Sequence, residues 1–227
     1  MRVVCLSSLL CLTLAMLSGC NVFNAAVLSV TPPELIKAKY ELPDKATLIV
    51  VDDPRSLVTS PSTLRRIAAA TRNVLEVEQI IVTGGFVGQD ELAGYREELG
   101  DRYNQTSLAA LALHLGASQV IHAEVTGFQM ELGGNVIRPA ITLNVKVFDV
   151  DERARMFPRE SDEESAVDIG TTVYPLQSKL PAQDLTGQSA ARSIAQRDLA
   201  DQAGRDIARL FFDWRLPALG SEIDKPK

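Results

Sequence analysis

Ala140-Ile141-Thr142-Leu143-Asn144-Val145-Lys146-Val147-Phe148-Asp149-Val150 is the stretch on which the fold turns. Ile141, Leu143, Val145 and Val147 point one way, and Thr142, Asn144 and Lys146 the other. That period of two predicts a half-buried antiparallel strand. Upstream, Gly133-Gly134-Asn135 signals a turn, and residues 118–125 (SQVIHAEV) read as its partner strand. The join into that partner is Leu115-Gly116-Ala117, which follows a helix capped by Thr106 or Ser107, lined by Leu108, Leu111, Ala112 and Leu115, and ended by Gly116.

Working outward, Ala46-Thr47-Leu48-Ile49-Val50-Val51 is a continuous apolar run stopped by Asp52-Asp53-Pro54, as expected of a strand buried on both faces. Ser60-Pro61-Ser62-Thr63 opens a helix with Leu64, Ile67, Ala68, Val74 and Leu75 near one stripe. Gln79–Thr83 reads as a second strand ended by Gly84-Gly85. Residues 91–103 suit a short amphipathic helix through Leu92, Tyr95, Leu99 and Tyr103. Arg159–Asp168 reads as an acidic loop, Thr171–Leu176 as a last short strand, and Ser189–Trp214 as a final helix. The order predicts an α/β fold, a three-layer mixed sheet with helices on its faces, and no internal repeat.

The chain has 227 residues and a formal net charge of −6, with 23 basic and 29 acidic residues. No basic cluster exceeds Arg65-Arg66, so the sequence lacks the electrostatic footprint of a nucleic-acid binder. The three cysteines are Cys5, Cys11 and Cys20. The two histidines, His114 and His122, stand in no zinc-binding spacing, so neither a metal nor a cofactor is expected.

The amino end carries Arg2, an apolar run over Val3–Leu17, and then Leu17-Ser18-Gly19-Cys20. The run is shorter than the roughly 20 residues a spanning helix needs, and its layout is that of a secretory signal. Leu-Ser-Gly-Cys resembles the bacterial lipobox, whose cysteine is acylated and becomes the first residue after cleavage. By that resemblance residues 1–19 are a signal peptide and Cys20 carries palmitate-class acyl chains. Residues 20–44, punctuated by Pro32, Pro33 and Pro43, form a tether. Residues 45–216 form one α/β domain and 217–227 a disordered tail. Cys5 and Cys11 leave with the leader, so no disulfide braces the mature domain. Asn21 rather than an aspartate after the cysteine leans towards the outer membrane, on its periplasmic side.

The small-residue join 115–121, the strand it feeds, the alternating partner ending at Phe148-Asp149-Val150, and the lipobox together look like one family. It is the envelope lipoproteins of the curli-secretion CsgG and penicillin-binding-protein activator LpoB group. That group shares its fold with the amino-terminal domain of TolB, an anticodon-binding-like α/β arrangement. The resemblance covers roughly residues 45–214. It implies non-enzymatic binding in cell-envelope assembly or regulation (peptidoglycan synthesis or outer-membrane secretion), with an envelope protein or a second copy of the chain as partner, and it supplies no catalytic residue. A pore would need long lipid-facing hairpins with about ten alternating residues per strand. Arg138-Pro139 interrupts the return of the hairpin at 124–150, and residues 159–190 are too polar for another. The activator's long arm has no counterpart, because about 24 tether residues span at most ~80 Å.

Candidate chemistry is sparse. Asp52 and Asp53 close a strand where open α/β sheets place ligands, or they are a solvated strand end with Asp53-Pro54 starting a turn. Gly84, Gly85 and Gly88 follow a strand as a phosphate-cradling loop would, but no Lys-Ser/Thr follows, and a plain turn is the alternative. These five residues are the candidates for a small-ligand or glycan site. Phe211, Phe212 and Trp214 are candidate partner contacts: Phe211 and Trp214 share the final helix's stripe, and Phe212 points elsewhere. Replacing Cys20 with alanine tests the lipobox. Cys20→Ala should abolish palmitate labelling and leave the leader uncleaved, read by metabolic labelling and a gel shift.

Overall fold

A computed structural model describes residues 34–133, 136–159, 173–184 and 189–216. Cys20, the tether up to residue 33 and the tail from residue 217 lie outside the described residues, as does most of the acidic segment at 159–168. The described residues fall into two compact units: Ala38–Phe212, and a small one that holds residues 34–37 and 213–216.

In the small unit, strand β1 (Leu35–Ile36) pairs antiparallel with β8 (Trp214–Arg215). Leu216 N–H donates to the Glu34 carbonyl at 3.2 Å, and Lys37 Nζ meets Asp213 Oδ2 at 2.6 Å.

The main unit runs β2 (Thr47–Asp52), α1 (Pro61–Val77), α2 (Gln89–Leu99), a 3₁₀ turn (Gly100–Gln105) and α3 (Leu108–His114). It continues with β3 (Gln119–Gly133), β4 (Val136–Asp149), β5 (Ala154–Phe157), β6 (Tyr174–Lys179), β7 (Gln183–Asp184) and α4 (Ser189–Ala208). β2 pairs parallel with β3, and β3 pairs antiparallel with β4. The far edge of β4 is shared by β5, β6 and β7, all antiparallel to it. The result is a mixed sheet with helices on both faces, as the alternation at 140–150 predicts.

Period-two alternation divides the core. Ile49, Val51, Ile121, Ala123, Val125, Ile141, Leu143, Val145 and Val147 face α1 and α4 and form the larger cluster. Leu48, Val50 and Val120 face the other way, onto Leu92 of α2 and Leu111 and Ala112 of α3. Tyr40 and Leu42, within the expected tether, are buried in the larger cluster. Ser107 is the residue that caps α3, accepting from Ala110 N–H at 3.2 Å, and Gly116 follows the helix at φ +73°.

Three expectations need correction. Gln79–Thr83 is a loop, not a strand. Gln79 sits at φ +55°, and Asp44 Oδ1 accepts the Val82, Thr83 and Gly84 amides at 2.9, 3.1 and 3.0 Å, so these donors are spent on a side chain instead of a ladder. Only Phe86 makes a bridge, to Thr47. The final helix stops at Ala208, not Trp214. Leu210 N–H turns back to the Ile207 carbonyl, and the Leu210 carbonyl accepts the Lys39 and Tyr40 amides at 2.8 and 3.1 Å. Lastly, β4 runs through Arg138-Pro139 without a break. A register shift against β3 between Gln129 and Glu131 absorbs the proline, as bulges do, and the Pro139 carbonyl still accepts Leu180 N–H at 3.0 Å.

α1 and α4 cross closely at Gly204. A Cβ there would lie 2.5 Å from Ala70 Cβ and 2.6 Å from the Ile67 carbonyl oxygen. Gly204→Ala should therefore destabilise the domain by about 1–3 kcal/mol through overpacking. Gly94→Ala, at a helical position of α2 with nothing within 4 Å, should stabilise it by about 0.5–1 kcal/mol. Urea midpoints moving in opposite directions for the two variants check this.

Candidate functional site

The sheet's second face is only partly covered. Leu48 and Val50 of β2 lie under α2 and α3, but the next residue on that face is Asp52, and the matching positions of β3 are His122 and Glu124. Where the helical layer ends, an open cleft of 740 Å³ remains at the carboxyl ends of the parallel pair, a position where α/β sheets commonly bind ligands. Charged and polar groups from Asp52, Arg96, Tyr103, His122, Glu124 and Lys146 line it, with an apolar wall of Pro54, Leu64, Leu108 and Leu111.

Asp52 organises the cluster. Its Oδ1 accepts from Arg96 Nη2 at 2.6 Å and from the Tyr103 hydroxyl at 3.1 Å, while Oδ2 meets His122 Nε2 at 3.1 Å. Arg96 Nη2 also donates to the Tyr103 oxygen at 2.5 Å, and its guanidinium carbon lies 4.5 Å from that ring's centre. α2 supplies Arg96, the 3₁₀ turn supplies Tyr103 and β3 supplies His122, so three separate elements converge on one carboxylate. Burial acts to raise the Asp52 carboxyl, but the His122 bond, the Arg96 and His122 charges and the Tyr103 hydroxyl outweigh it and hold the group below its ordinary value. The Tyr103 phenol is pushed up to about 12, by burial first and then by the negative charge of Asp52. Arg96 Nε and His122 Nδ1 are buried and have no hydrogen-bond partner among the described residues.

The other candidates lie elsewhere. Asp53 touches the cleft, but its carboxylate is committed to its own loop, accepting the Leu57 and Val58 amides at 3.0 and 2.7 Å. Gly84 and Gly85 sit at the opposite, amino end of β2, where Thr47 N–H donates to the Gly85 carbonyl at 3.0 Å. Five strand steps of ~3.3 Å separate that end from Asp52. The loop amides needed to cradle a phosphate already hold the Asp44 carboxylate, which they keep far below the usual range. Gly84 is required by close approach, since its Cβ would fall 2.1 Å from the Lys45 carbonyl carbon. Gly88 precedes α2 as its N-cap. Phe211 is buried, with its ring edge-on to Phe157 at 6.3 Å. Phe212 is half-buried against the larger core cluster, and Trp214 belongs to β8, so the three do not share a helix face. His114 stacks on Tyr95 at 3.8 Å.

No metal-holding group of His, Cys, Asp and Glu occurs among the described residues, and no described helix is long and apolar enough to cross a membrane. No family model and no curated protein matches the sequence. Among solved structures, the chain is similar to the lipoprotein GNA1162 from Neisseria meningitidis, with 9% identity, a TM-score of 0.41, and coverage of 71% of this chain and 99% of that one. It is also similar to a PelC dodecamer from Paraburkholderia phytofirmans (12%, TM-score 0.37, 80% and 95%). A third is the LpoB C-terminal domain from Salmonella enterica (14%, TM-score 0.33, 63% and 87%).

Asp52→Asn leaves Arg96 and His122 facing a neutral amide and should cost about 1–3 kcal/mol at pH 7. Because the folded carboxyl titrates below the ordinary 3.8, its contribution is fully present above that value and is lost as pH falls through the lowered one. The stability gap between wild type and Asp52→Asn, measured by urea unfolding, should therefore persist above about pH 4 and close progressively as the pH is lowered further.

Proposed function

We propose that this chain is a lipid-anchored, non-catalytic binding protein of the bacterial envelope. It is held through Cys20 to the periplasmic side of the outer membrane. Its α/β domain recognises an envelope partner during assembly or regulation of peptidoglycan synthesis or secretion. The observation that carries this reading is the cleft. A preorganised cluster around Asp52, the charges of Glu124 and Lys146, which have no ion pair among the described residues, and an apolar wall sit together at the carboxyl end of the parallel β2–β3 pairing.

The same cluster supports binding over catalysis. Asp52 and His122 form the orienting half of a hydrolytic triad, in which the imidazole's other nitrogen would face a nucleophilic hydroxyl or thiol. Here that nitrogen, Nδ1, has no hydrogen-bond partner among the described residues. The side chains around Asp52 are a guanidinium and a phenol, which fix a carboxylate and do not activate a nucleophile.

A photo-crosslinking residue at Thr106, on the cleft wall, should give a discrete envelope adduct in cells. The same residue at exposed Glu78, beyond α1, should give none. Filling the cleft with Leu108→Trp should remove the Thr106 adduct while the protein stays folded. Identical adducts at both positions, or none at either, would overturn the reading.

A further inference from the structure

The sequence of α3, LAALALH over Leu108–His114, has His114 as its sole polar side chain. A helix that is apolar all round belongs in a core, yet α3 is covered on one side alone. Leu111 and Ala112 are buried, while Ala110 is exposed and Leu113 is 70% exposed. A scattered leucine on a polar surface would need no explanation. This one lies on a helix that offers no charged residue around it.

His114 stacks on Tyr95 with 3.8 Å between ring centres, which sets this face beside α2. The residue before Tyr95 is Gly94, exposed in the middle of that helix, where an added Cβ would meet nothing within 4 Å. Its neighbours three and four positions away on the helix surface are Asp90, Glu91, Glu97 and Glu98. All four are exposed, and none has a side-chain hydrogen bond or ion pair among the described residues. Asp90 and Glu91, in the first turn, suit the helix dipole, but Glu97 and Glu98, near the carboxyl end, oppose it. Arg96, the basic residue of the last turn, is spent on Asp52.

Three departures from local stability therefore meet on one surface: an uncovered apolar helix face, a glycine inside a helix, and acidic residues at a helix's negative end. Departures of this kind persist where binding uses them. The carboxylates alone would be a solvated helix face. Beside the apolar face of α3 they set the charge of whatever covers it. They repel anionic lipid, and they repel a second copy of this chain, whose formal net charge is −6. We infer that the outer face of α2 and α3 docks a basic helix of a protein partner. An apolar side chain of that helix packs on Leu113 and Ala110, its backbone passes close over Gly94, and its Lys or Arg side chains reach the four carboxylates. Gly204 permits the same close approach between α1 and α4. Neither Gly94 nor Ala110 nor Leu113 lines the cleft, so this is a second contact surface and does not rest on the reading of the cleft.

Fluorescence anisotropy with the full lipidated chain in neutral detergent micelles tests this, with protein-free micelles as the baseline. The probe is a short labelled helical peptide of alanine and lysine that carries two leucines one turn apart. A second peptide has serine for the leucines, and a third has glutamate for the lysines. The lysine–leucine peptide should bind saturably, the serine peptide roughly tenfold more weakly, and the glutamate peptide not at all. Leu113→Ser should weaken the lysine–leucine peptide roughly tenfold and leave the serine peptide unchanged. Gly94→Gln should weaken both lysine peptides while raising the melting temperature, a split that a purely structural glycine would not produce. Equal binding of the two lysine peptides to wild type, no saturable binding of any probe, or binding untouched by Leu113→Ser or Gly94→Gln overturns the inference. A wild-type dimer in sedimentation that Leu113→Ser dissolves would give the face to a second copy and overturn it as well. These outcomes stand whether or not the Thr106 adduct forms, so this surface and the cleft can fail separately.

Discussion

The main constraint on this molecule is a mismatch in length between the two helical layers. α1 and α4 cover one face of the sheet along its extent and bury its odd-numbered side chains from Ile49 to Val147. On the other face the cover is two short helices, α2 over Gln89–Leu99 and α3 over Leu108–His114, roughly 16 and 10 Å at ~1.5 Å per residue. β2 and β3 outrun them. Even-numbered residues beyond the cover must meet water or another polar group, and Asp52, His122, Glu124 and Lys146 are among them. The cluster exists because the layer stops. Arg96 and Tyr103, from the segment that caps this edge, supply the donors that let Asp52 sit at the margin as an anion.

That arrangement divides stability from recognition. The larger cluster holds the fold together with no cysteine in any described residue, and α1 and α4 approach closely enough that Gly204 has no space for a methyl group. The bidentate Arg66–Asp201 pair across the same helices is exposed and adds little, since exposed pairs are worth about 0–1 kcal/mol. The smaller cluster is thin, and beside it Arg96 Nε and His122 Nδ1 have no hydrogen-bond partner among the described residues. Such groups cost stability and are kept where binding can satisfy them.

Sequence patterning carries local information well and long-range capture poorly. The alternation in β4, the cap at Ser107 and the stop at Gly116 were legible because neighbours a few residues away determine them. Asp52 was legible as a strand end. Its partners were not, because Arg96 lies 44 positions away and meets it only after α2 docks. His122 offered one signal: it alternates with Ile121 and Ala123, so it had to face away from the larger core, but only the β2–β3 register sets it beside Asp52. The loop at 79–83 looks like a strand because its isoleucines pack inward (Ile81 is buried). Nothing in its own residues reveals that Asp44, 38 positions upstream, takes its amides. The helical pattern runs past the true end of the final helix for the same reason. Phe211 and Trp214 keep the helical spacing, while the amides of Lys39 and Tyr40 claim the carbonyl that follows the last turn.

The β1–β8 ribbon brings the two ends of the described chain into backbone contact, through Leu216 N–H and the Glu34 carbonyl. Topologically the described chain is a nearly closed ring with its opening at the ribbon. A short peptide could seal that opening, and a new break could be placed in a surface connection elsewhere. Such circular permutation would move the chain ends around the domain without changing a core residue. The point from which the domain is joined to anything else would then become an adjustable variable, separable from the chemistry of the cleft itself.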